Sequence, residues 1–255
     1  MVTGWIAVCL PFKEYHRLLE FLPAEKLKKK FGIFGHFYSI DIGSGEQIEC
    51  RSALEIVTKE DKPSPLDLLL EKPADAIFIM MNPGSSLPLE EVNNIILGEQ
   101  AGDLCTSLVS TKPDTTQYQV MRVMAYCGWS HVRVLNLSDL RNPKGGNFVA
   151  QYRDIEERTR FTAHSLFSDE RKQELQRHLN RKVQSPVVCA WGVSPGLDPL
   201  IERCLSKVSG TKGRIGLLKP ETENKYFHPL PTLQKAKMKW VDNMVALINS
   251  DMTNS

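Results

Sequence analysis

Short apolar runs alternate with segments of helical spacing from residue 74 onward. The runs with the length and β-branched content of buried strands lie at residues 76–81, 132–137, 186–191 and 214–218. The segments whose apolar positions repeat as on one face of a helix lie at residues 88–97, 117–127, 151–182, 196–208 and 233–249. Strands that alternate with helices predict an α/β fold of three layers, in which a mostly parallel central sheet carries helices on both faces.

The first seventy residues follow a different pattern. The segments are a helix near residues 13–30, two hairpin strands at 31–42 and 47–57 around a Gly-Ser-Gly turn, and a proline-containing linker at 59–65. We therefore expect residues 1–70 to form a helix-and-hairpin elaboration that packs on an α/β core domain of residues 71–255.

Composition places the chain among ordinary globular proteins. Hydrophobic residues make up 42% and charged residues 24% of its 255 positions, which argues against disordered and fibrous classes. The longest apolar runs, such as residues 76–81, are far too short to span a bilayer. Pro11, Lys13 and Glu14 interrupt the N-terminal apolar stretch too early for a secretion signal. We expect a cytoplasmic protein with no membrane partner.

Six cysteines, at positions 9, 50, 105, 127, 189 and 204, are scattered along the chain. They form no Cys-x-x-Cys motif and no Cys/His cluster at the spacing of metal ligands. We interpret them as reduced, mostly buried thiols. The sequence therefore predicts no metal and no organic cofactor.

The C-terminal third is locally basic, although the net charge of the whole chain is only +2. Residues 207–239 include eight basic and two acidic side chains, which gives this stretch a charge of +6. Such a surface favours a phosphate-bearing partner, either nucleic acid or nucleotide. The alternative is a solvated lysine face without a partner. No pattern indicates the oligomeric state.

The first core strand is followed by a turn with chemically capable residues. Ligands of open parallel sheets bind in the crevice at the carboxyl ends of the strands. At that position stand Asn82, Pro83, Gly84 and Ser85. A rigid turn at the start of a helix can present the Asn82 carboxamide and backbone N–H groups to water or to an anion. The same residue types also make plain strand-to-helix turns, which is the structural alternative.

Two further strands end in residues suited to ligand contact. Asn136 ends the second strand, and a buried carboxamide needs partners of the kind that a nucleobase edge supplies. A structural amide that fixes a loop is the alternative. Trp191 and Gly192 end the third strand, where they offer a flat apolar wall and close backbone approach. A tryptophan packed in the core is the simpler interpretation of Trp191.

His228 precedes the last helix and lies within the basic segment. Its imidazole can donate a hydrogen bond to charge that develops on a leaving group. A loop histidine before prolines that set the helix entry is the alternative. Other catalytic signatures are missing from the sequence, which has no Gly-x-Ser-x-Gly elbow, no cysteine beside a base and no glycine-rich phosphate loop.

Taken in order, these motifs resemble those of an uncharacterised family of bacterial and phage proteins. The family pattern is Asn-Pro-Ser, Val-x-Asn-Leu, Ala-Trp-Gly, and Lys followed by His-Pro-Leu. The corresponding positions here are residues 82–84, 134–137, 190–192, Lys219 and 228–230. The resemblance covers roughly residues 75–248 and brings no established activity with it.

The same order is more distantly similar to the uracil-DNA glycosylase superfamily, which has an α/β fold with a mostly parallel central sheet. The resemblance implies that Asn82 holds the hydrolytic water, that Asn136 reads the base edge and that His228 stabilises the departing base. The further substrate-binding positions that we predict are Gly84, Ser85, Trp191, Gly192 and Lys219. Leu230 stands where the glycosylases usually carry Ser, so a phosphate contact of that family is not predicted here.

The functional hypothesis is a metal-free hydrolase that cleaves the N-glycosidic bond of a nucleobase in nucleic acid. An amide oxygen is hardly basic, so Asn82 would orient water without abstracting its proton, which suits a dissociative transition state. Two alternatives stay open. One is a non-catalytic module that binds a nucleotide or a modified base, and the other is a hydrolase of free nucleotides or nucleosides.

Overall fold

The computed structural model describes residues 19–43, 46–102, 104 and 107–253. The strands in these ranges are β1 Phe31–Asp41, β2 Gln47–Thr58, β3 Ala76–Met80, β4 Leu87–Pro88, β5 Ile95–Leu97, β6 Val109–Lys112, β7 His131–Asn136, β8 Val187–Cys189 and β9 Arg214–Ile215. The helices are α1 Ala24–Lys30, α2 Leu68–Glu71, α3 Thr115–Cys127, α4 Gly145–Thr159, α5 Lys172–His178, α6 Asp198–Val208 and α7 Gln234–Thr253.

All nine described strands belong to one mixed sheet in the order β4-β6-β1-β2-β7-β3-β8-β9, and β5 also pairs with β1. The strands β7, β3, β8 and β9 are parallel to one another, as the alternation of strands and helices predicts. The pairs β1–β2, β1–β6, β4–β6 and β2–β7 are antiparallel. The α/β prediction is confirmed, but a mostly parallel arrangement holds only for the four core strands.

The predicted hairpin is formed by β1 and β2, and it extends the core sheet. Residues 54–57 of β2 pair directly with residues 131–134 of β7. Of the predicted N-terminal helix, residues 13–18 lie outside the described residues, and so do Ser44 and Gly45 of the hairpin turn. The described part of that helix begins only at Ala24. Hairpin side chains therefore lie next to both ends of the central strands.

Helices cover both faces of the sheet, which gives three layers. Along β3, Ile77 and Ile79 pack into the apolar layer under α4, α5 and α6. Ala76, Phe78 and Met80 point to the opposite face and pack against α1, α3 and α7. A strand buried on both faces needs apolar residues at every position, which is why this run lacks the alternation of a surface strand.

The helix predicted at residues 88–97 is wrong, because this segment is extended and ends in β5. The exposure of residues 91–97 alternates with a period of two rather than following a helical face. Ser39 N donates to Asn94 O at 2.8 Å, and β5 continues this contact as a parallel partner of β1. Pairing with a strand distant in sequence overrides the local apolar spacing.

The other predicted helices are found close to their expected positions. The segments 117–127, 196–208 and 233–249 correspond to α3, α6 and α7, and the long segment 151–182 contains the later part of α4 and then α5. Of the helices in the described ranges, none is both long and apolar enough to traverse a bilayer. Four cysteines in these ranges, at positions 50, 127, 189 and 204, are free thiols.

Candidate functional site

The carboxyl ends of β7, β3 and β8 lie side by side at one edge of the sheet. Backbone hydrogen bonds continue the pairing beyond the strands, from Leu137 N to Met80 O at 2.8 Å and from Ala190 N to Ile79 O at 2.9 Å. The two asparagines and the glycine that end or follow these strands are thereby placed in one row. We call this row the strand-end edge and define it by Asn136, Asn82 and Gly192.

The carboxamide of Asn82 is held by two backbone carbonyls. Its Nδ2 donates to Asn142 O at 2.7 Å and to Leu140 O at 3.2 Å. These two bonds use both amide hydrogens and fix the direction of Oδ1. No donor within the described part of the chain bonds to that oxygen. A partly buried, oriented amide oxygen of this kind can accept a hydrogen bond from water or from a ligand.

The turn after Asn82 leads into β4 rather than into a helix. The helix start that the sequence predicts as an anion site is therefore not formed at this position. Gly84 adopts φ +61°, and the space where its Cβ would lie is open to 4 Å. Ser85 is exposed, whereas Ser86 is buried and accepts a hydrogen bond from Gln117 Nε2 at 3.3 Å. The turn is thus tied to the first turn of α3.

Asn136 is 1% exposed, and its carboxamide is bonded at both ends. We assign the orientation of this carboxamide from its neighbours, such that Oδ1 accepts from Arg51 Nη2 at 3.0 Å and Nδ2 donates to the backbone oxygen of Asn82 at 3.2 Å. The amide therefore joins the end of β7 to the turn after β3 and to β2. One amide hydrogen and one lone pair are left over. Reading of a base edge by Asn136 stays a prediction.

Trp191 does not form the exposed apolar wall that the sequence suggests. The side chain is fully buried, at 0% exposure, in the layer under α4, α5 and α6. Its Nε1 donates to Asn224 O at 2.9 Å, and its ring meets Tyr226 edge-on with the centroids 5.3 Å apart. This burial favours the core interpretation, in which Trp191 anchors the segment that leads to His228.

Gly192 allows the segment before the last helix to come close to β8. Its φ is +99°, a conformation that favours glycine, and its N–H donates to Tyr226 O at 2.9 Å. A Cβ at this position would lie 4.0 Å from the Cβ of His228. The end of β8 and the His228 loop are therefore neighbours at the strand-end edge.

His228 presents a neutral ring with one available donor. Leu230 N donates to Nδ1 at 3.2 Å, which places the ring proton on Nε2. Burial lowers the pKa of His228 from 6.5 to about 4, so the ring is uncharged at neutral pH. Among the described residues, no acceptor bonds to the Nε2–H group. His228 can therefore donate to a ligand without carrying a positive charge.

The first turns of α3 connect the Asn82 turn with the His228 loop. Asp114 caps the helix by accepting from Gln117 N at 2.8 Å, and Gln117 in turn holds Ser86. Gln119 Nε2 donates to Pro229 O at 2.9 Å. The pattern Asp-x-x-Gln is a capping signal that is visible in the sequence and marks this helix start. No comparable signal marks Gln119.

Arg51 of β2 is a further site residue that no motif in the sequence indicates. It is 3% exposed and holds the Asn136 carboxamide. Burial lowers the pKa of Arg51 to about 10, while Asp114 and Asp139 oppose that shift, so the guanidinium is charged at neutral pH.

The basic segment surrounds the His228 loop on the surface. Lys219 is exposed and begins a short hairpin, in which its N–H donates to Lys225 O at 2.7 Å, before the chain reaches His228. Lys225 forms an ion pair with Asp198, and Lys207 forms one with Asp169. Three exposed lysines of this segment form no ion pair with another described residue, namely Lys212, Lys219 and Lys235.

An open cleft on α4 lies apart from the predicted site residues and is lined partly by Arg153, Glu156 and Arg160. Glu156 accepts from His164 Nε2 at 2.9 Å and from Arg203 Nη1 at 2.7 Å, and Ser138 Oγ lies 2.8 Å from His164 Nδ1. The order Ser-His-Glu resembles a catalytic triad in its bonding. Ser138 is fully buried, however, so this chain of hydrogen bonds supports the loop after β7 rather than reaching a substrate.

In the described ranges, no three His, Cys, Asp or Glu side chains are grouped so that they could hold a metal ion. Comparison of the chain with known protein families, with curated proteins and with solved structures finds no match. The function is therefore inferred from the site itself.

Proposed function

We propose that this protein is a metal-free, uracil-DNA glycosylase-like hydrolase that cleaves the N-glycosidic bond of a nucleobase in nucleic acid. The observation that carries the proposal is the oriented Oδ1 of Asn82, to which no donor of the described residues bonds. The neutral His228 ring, with its available Nε2–H, flanks the same strand-end edge through Gly192. The order of the four motifs along the chain, which resembles that of the glycosylases, supports the same reaction.

The proposed chemistry needs an oriented water and a donor for the leaving base. Departure of the base takes the bond electrons with it, so that positive charge develops on the sugar and negative charge on the base. Asn82 Oδ1 accepts a hydrogen bond from the water that then attacks C1′ of the sugar, and the proton of that water is released to solvent. His228 Nε2–H donates to the departing base, which it stabilises without transferring a proton.

The exposed lysines of the basic segment supply the contacts to backbone phosphates in this proposal. Lys212, Lys219 and Lys235 are exposed on the segment that contains the His228 loop. Neutralisation of phosphates by lysine releases bound counterions, so binding of an oligonucleotide weakens as salt concentration rises. We expect oligonucleotide affinity to fall steeply between low and physiological ionic strength.

The experiment is a cleavage assay with the full chain and labelled single- and double-stranded oligonucleotides that contain uracil, mismatches or damaged bases. We expect abasic products from at least one base, with Asn82→Ala and His228→Ala each lowering the rate by about 100-fold or more. Asn243→Ala is the matched control, because Asn243 is exposed on α7 away from the strand-end edge.

Other outcomes of this assay separate the alternative functions. Salt-sensitive oligonucleotide binding without an abasic product from any base would contradict hydrolysis and support a binding module. Release of bases from free nucleosides, but not from oligonucleotides, would instead support a hydrolase of small substrates. Equal activity of Asn82→Ala and the unmodified chain would remove the residue on which the proposed mechanism depends.

A further inference from the structure

Arg51 is bonded far less completely than two other arginines that are buried as deeply. Arg133 and Arg171 are 0% exposed, and Arg51 is 3% exposed. Arg171 donates to both carboxylate oxygens of Glu174, at 2.8 and 2.7 Å, and also to Asp139 and to the carbonyl of Ala163. Arg133 donates to Glu55 and to backbone carbonyls at the ends of α2 and α5.

The Arg51 side chain forms one hydrogen bond within the described residues, from Nη2 to Asn136 Oδ1 at 3.0 Å. Its Nε is buried and has no partner. A guanidinium carries five N–H donors, and buried donors in folded proteins are almost always bonded. A buried guanidinium that has an unbonded donor and no hydrogen-bonded carboxylate among the described residues is unusual in a structural role, because Asp114 and Asp139 offset its charge only without a hydrogen bond. Its arrangement fits a binding group whose acceptor arrives with a ligand.

We propose that Arg51 binds a carbonyl oxygen of the nucleobase that enters the strand-end edge. A guanidinium only donates, so the ligand atom must be a hydrogen-bond acceptor. Asp114, Asp139 and Arg141 are all close enough to interact electrostatically with Arg51. The two carboxylates offset the two guanidinium charges, so we expect a neutral carbonyl to fit this environment better than a phosphate group. This inference rests on the proposed function in that a nucleobase is taken to be the ligand.

The position of Arg51 also gives the hairpin a part in recognition. The same guanidinium fixes the Asn136 carboxamide, which holds the turn of Asn82 through the backbone oxygen of Asn82. One residue of β2 thereby contacts the substrate and indirectly supports the residue that orients the water. The first seventy residues consequently contribute a binding residue to a site whose other members come from the core strands.

The direct test is an NMR titration of the arginine Nε–H resonances in the full chain. The probes are uracil and hypoxanthine, which carry carbonyl groups, adenine, which carries none, and inorganic phosphate. The Arg51 resonance is identified by its loss in Arg51→Lys. Arg133 and Arg171 serve as internal controls, because their donors are already bonded.

We expect the Arg51 resonance to shift with uracil or hypoxanthine and to stay in place with adenine and phosphate, while the two control resonances do not move. A shift with phosphate alone, an equal shift with adenine, or equal shifts of all three arginines would overturn the assignment of Arg51 to a base carbonyl. Absence of any shift would overturn it as well.

Kinetics separate this inference from the proposed reaction. If the oligonucleotide assay yields product, Arg51→Lys should raise KM by about tenfold and change kcat less, since it weakens one charge-assisted hydrogen bond to the base. If the oligonucleotide assay yields product, Arg51→Lys is fully active and the Arg51 resonance does not shift with any probe, the binding role of Arg51 is overturned while the proposed reaction stands. An Arg51 shift without product from any base would keep the binding role and overturn hydrolysis.

Discussion

Strand β2 supplies a buried charged residue to each end of the core sheet, and the two ends are bonded in opposite ways. Near the amino ends of the parallel strands, Glu55 Oε1 accepts a hydrogen bond from Arg133 Nε at 2.5 Å, and Glu55 Oε2 lies 2.7 Å from His131 Nε2. At the carboxyl ends, the Arg51 side chain forms a hydrogen bond to the Asn136 carboxamide and to no other described residue. Both charges are buried, but among the described residues only Glu55 has an oppositely charged partner at hydrogen-bond distance, whereas Asp114 and Asp139 act on Arg51 without a hydrogen bond.

Under the proposed function, we interpret the end near Glu55 as the one that stabilises the fold and the end near Arg51 as the one that binds a ligand. Burial alone would raise the pKa of Glu55, yet Arg133 and His131 hold it below its usual range. At the strand-end edge, burial instead lowers the pKa of Arg51 to about 10 and that of His228 to about 4. Polar groups left with spare hydrogen-bonding capacity reduce stability, and such groups are concentrated at functional sites.

The largest effect in this comparison is expected from Arg133→Met. The change leaves the Glu55 carboxylate buried without its main partner and removes donors from carbonyls at the ends of α2 and α5. We expect a loss of about 3–5 kcal/mol in the free energy of unfolding, measured by urea denaturation at pH 7. A loss below about 1 kcal/mol would contradict the view that this end carries the stability.

Arg158→Met is the matched control for that measurement. Arg158 forms ion pairs with Asp154 and Glu46, but both its own side chain and its partners are about half exposed. Exposed pairs of this kind contribute about 0–1 kcal/mol, so the control should unfold at nearly the same urea concentration as the unmodified chain.

Substitution of Glu156 is expected to have an intermediate effect on stability. Glu156 lies on α4 and supports the loop after β7 through His164 and Ser138. Burial would raise its pKa, but His164 and Arg203 lower it from 4.5 to about 2. A carboxylate with a depressed pKa stabilises the fold above its unfolded pKa and loses that contribution as pH falls. We expect about 3 kcal/mol of stability to disappear between pH 4.5 and 2, and Glu156→Gln to lack this part of the pH dependence. Identical urea-unfolding curves against pH for the variant and the unmodified chain would refute the assignment.

The titration of His228 tests whether the strand-end edge keeps this ring neutral. Its folded pKa of about 4 lies below the ordinary 6.5, so the unfolded chain binds more protons between these values and the fold loses stability as pH falls from 6.5 to 4. We expect the His228 ring resonances in an NMR titration to change with a midpoint near pH 4. His228→Gln should make the free energy of unfolding less dependent on pH in this window. A midpoint near 6.5 would mean that the ring is solvated and charged in mildly acidic solution.

The sequence predicts much of the framework of the site, because that framework depends on local runs. Apolar runs without alternation locate β3, β7 and β8 to within one or two residues at most ends. The rule that ligands meet the carboxyl ends of parallel strands then indicates Asn82 and Asn136. The surroundings of each site side chain depend on contacts between residues distant in sequence, so local patterns do not predict them.

Arg51 and Trp191 show why the rest is not predictable from the sequence. Arg51 reaches the strand-end edge only because β2 pairs with β7, whose residues come about eighty positions later in the chain. The burial of Trp191 depends on the segment that returns through Tyr226 and covers its ring. Neither a strand period nor a motif records such pairings, since both patterns describe neighbours along the chain.

Arg51→Met should have the smallest effect on stability, and it sharpens the comparison most. The substitution removes a single side-chain hydrogen bond within the described residues, together with a buried charge that has no hydrogen-bonded carboxylate there. The lost bond and the relieved burial of charge act in opposite directions, so we expect a change within about 1 kcal/mol of zero in the free energy of unfolding. Arg133→Met, which removes an equally buried guanidinium of the same length, should cost several times more in the same urea titration. Equal losses of stability in the two variants would contradict the proposed difference between the two ends of the sheet. Arg51 would then have to be regarded as a structural residue, like Arg133.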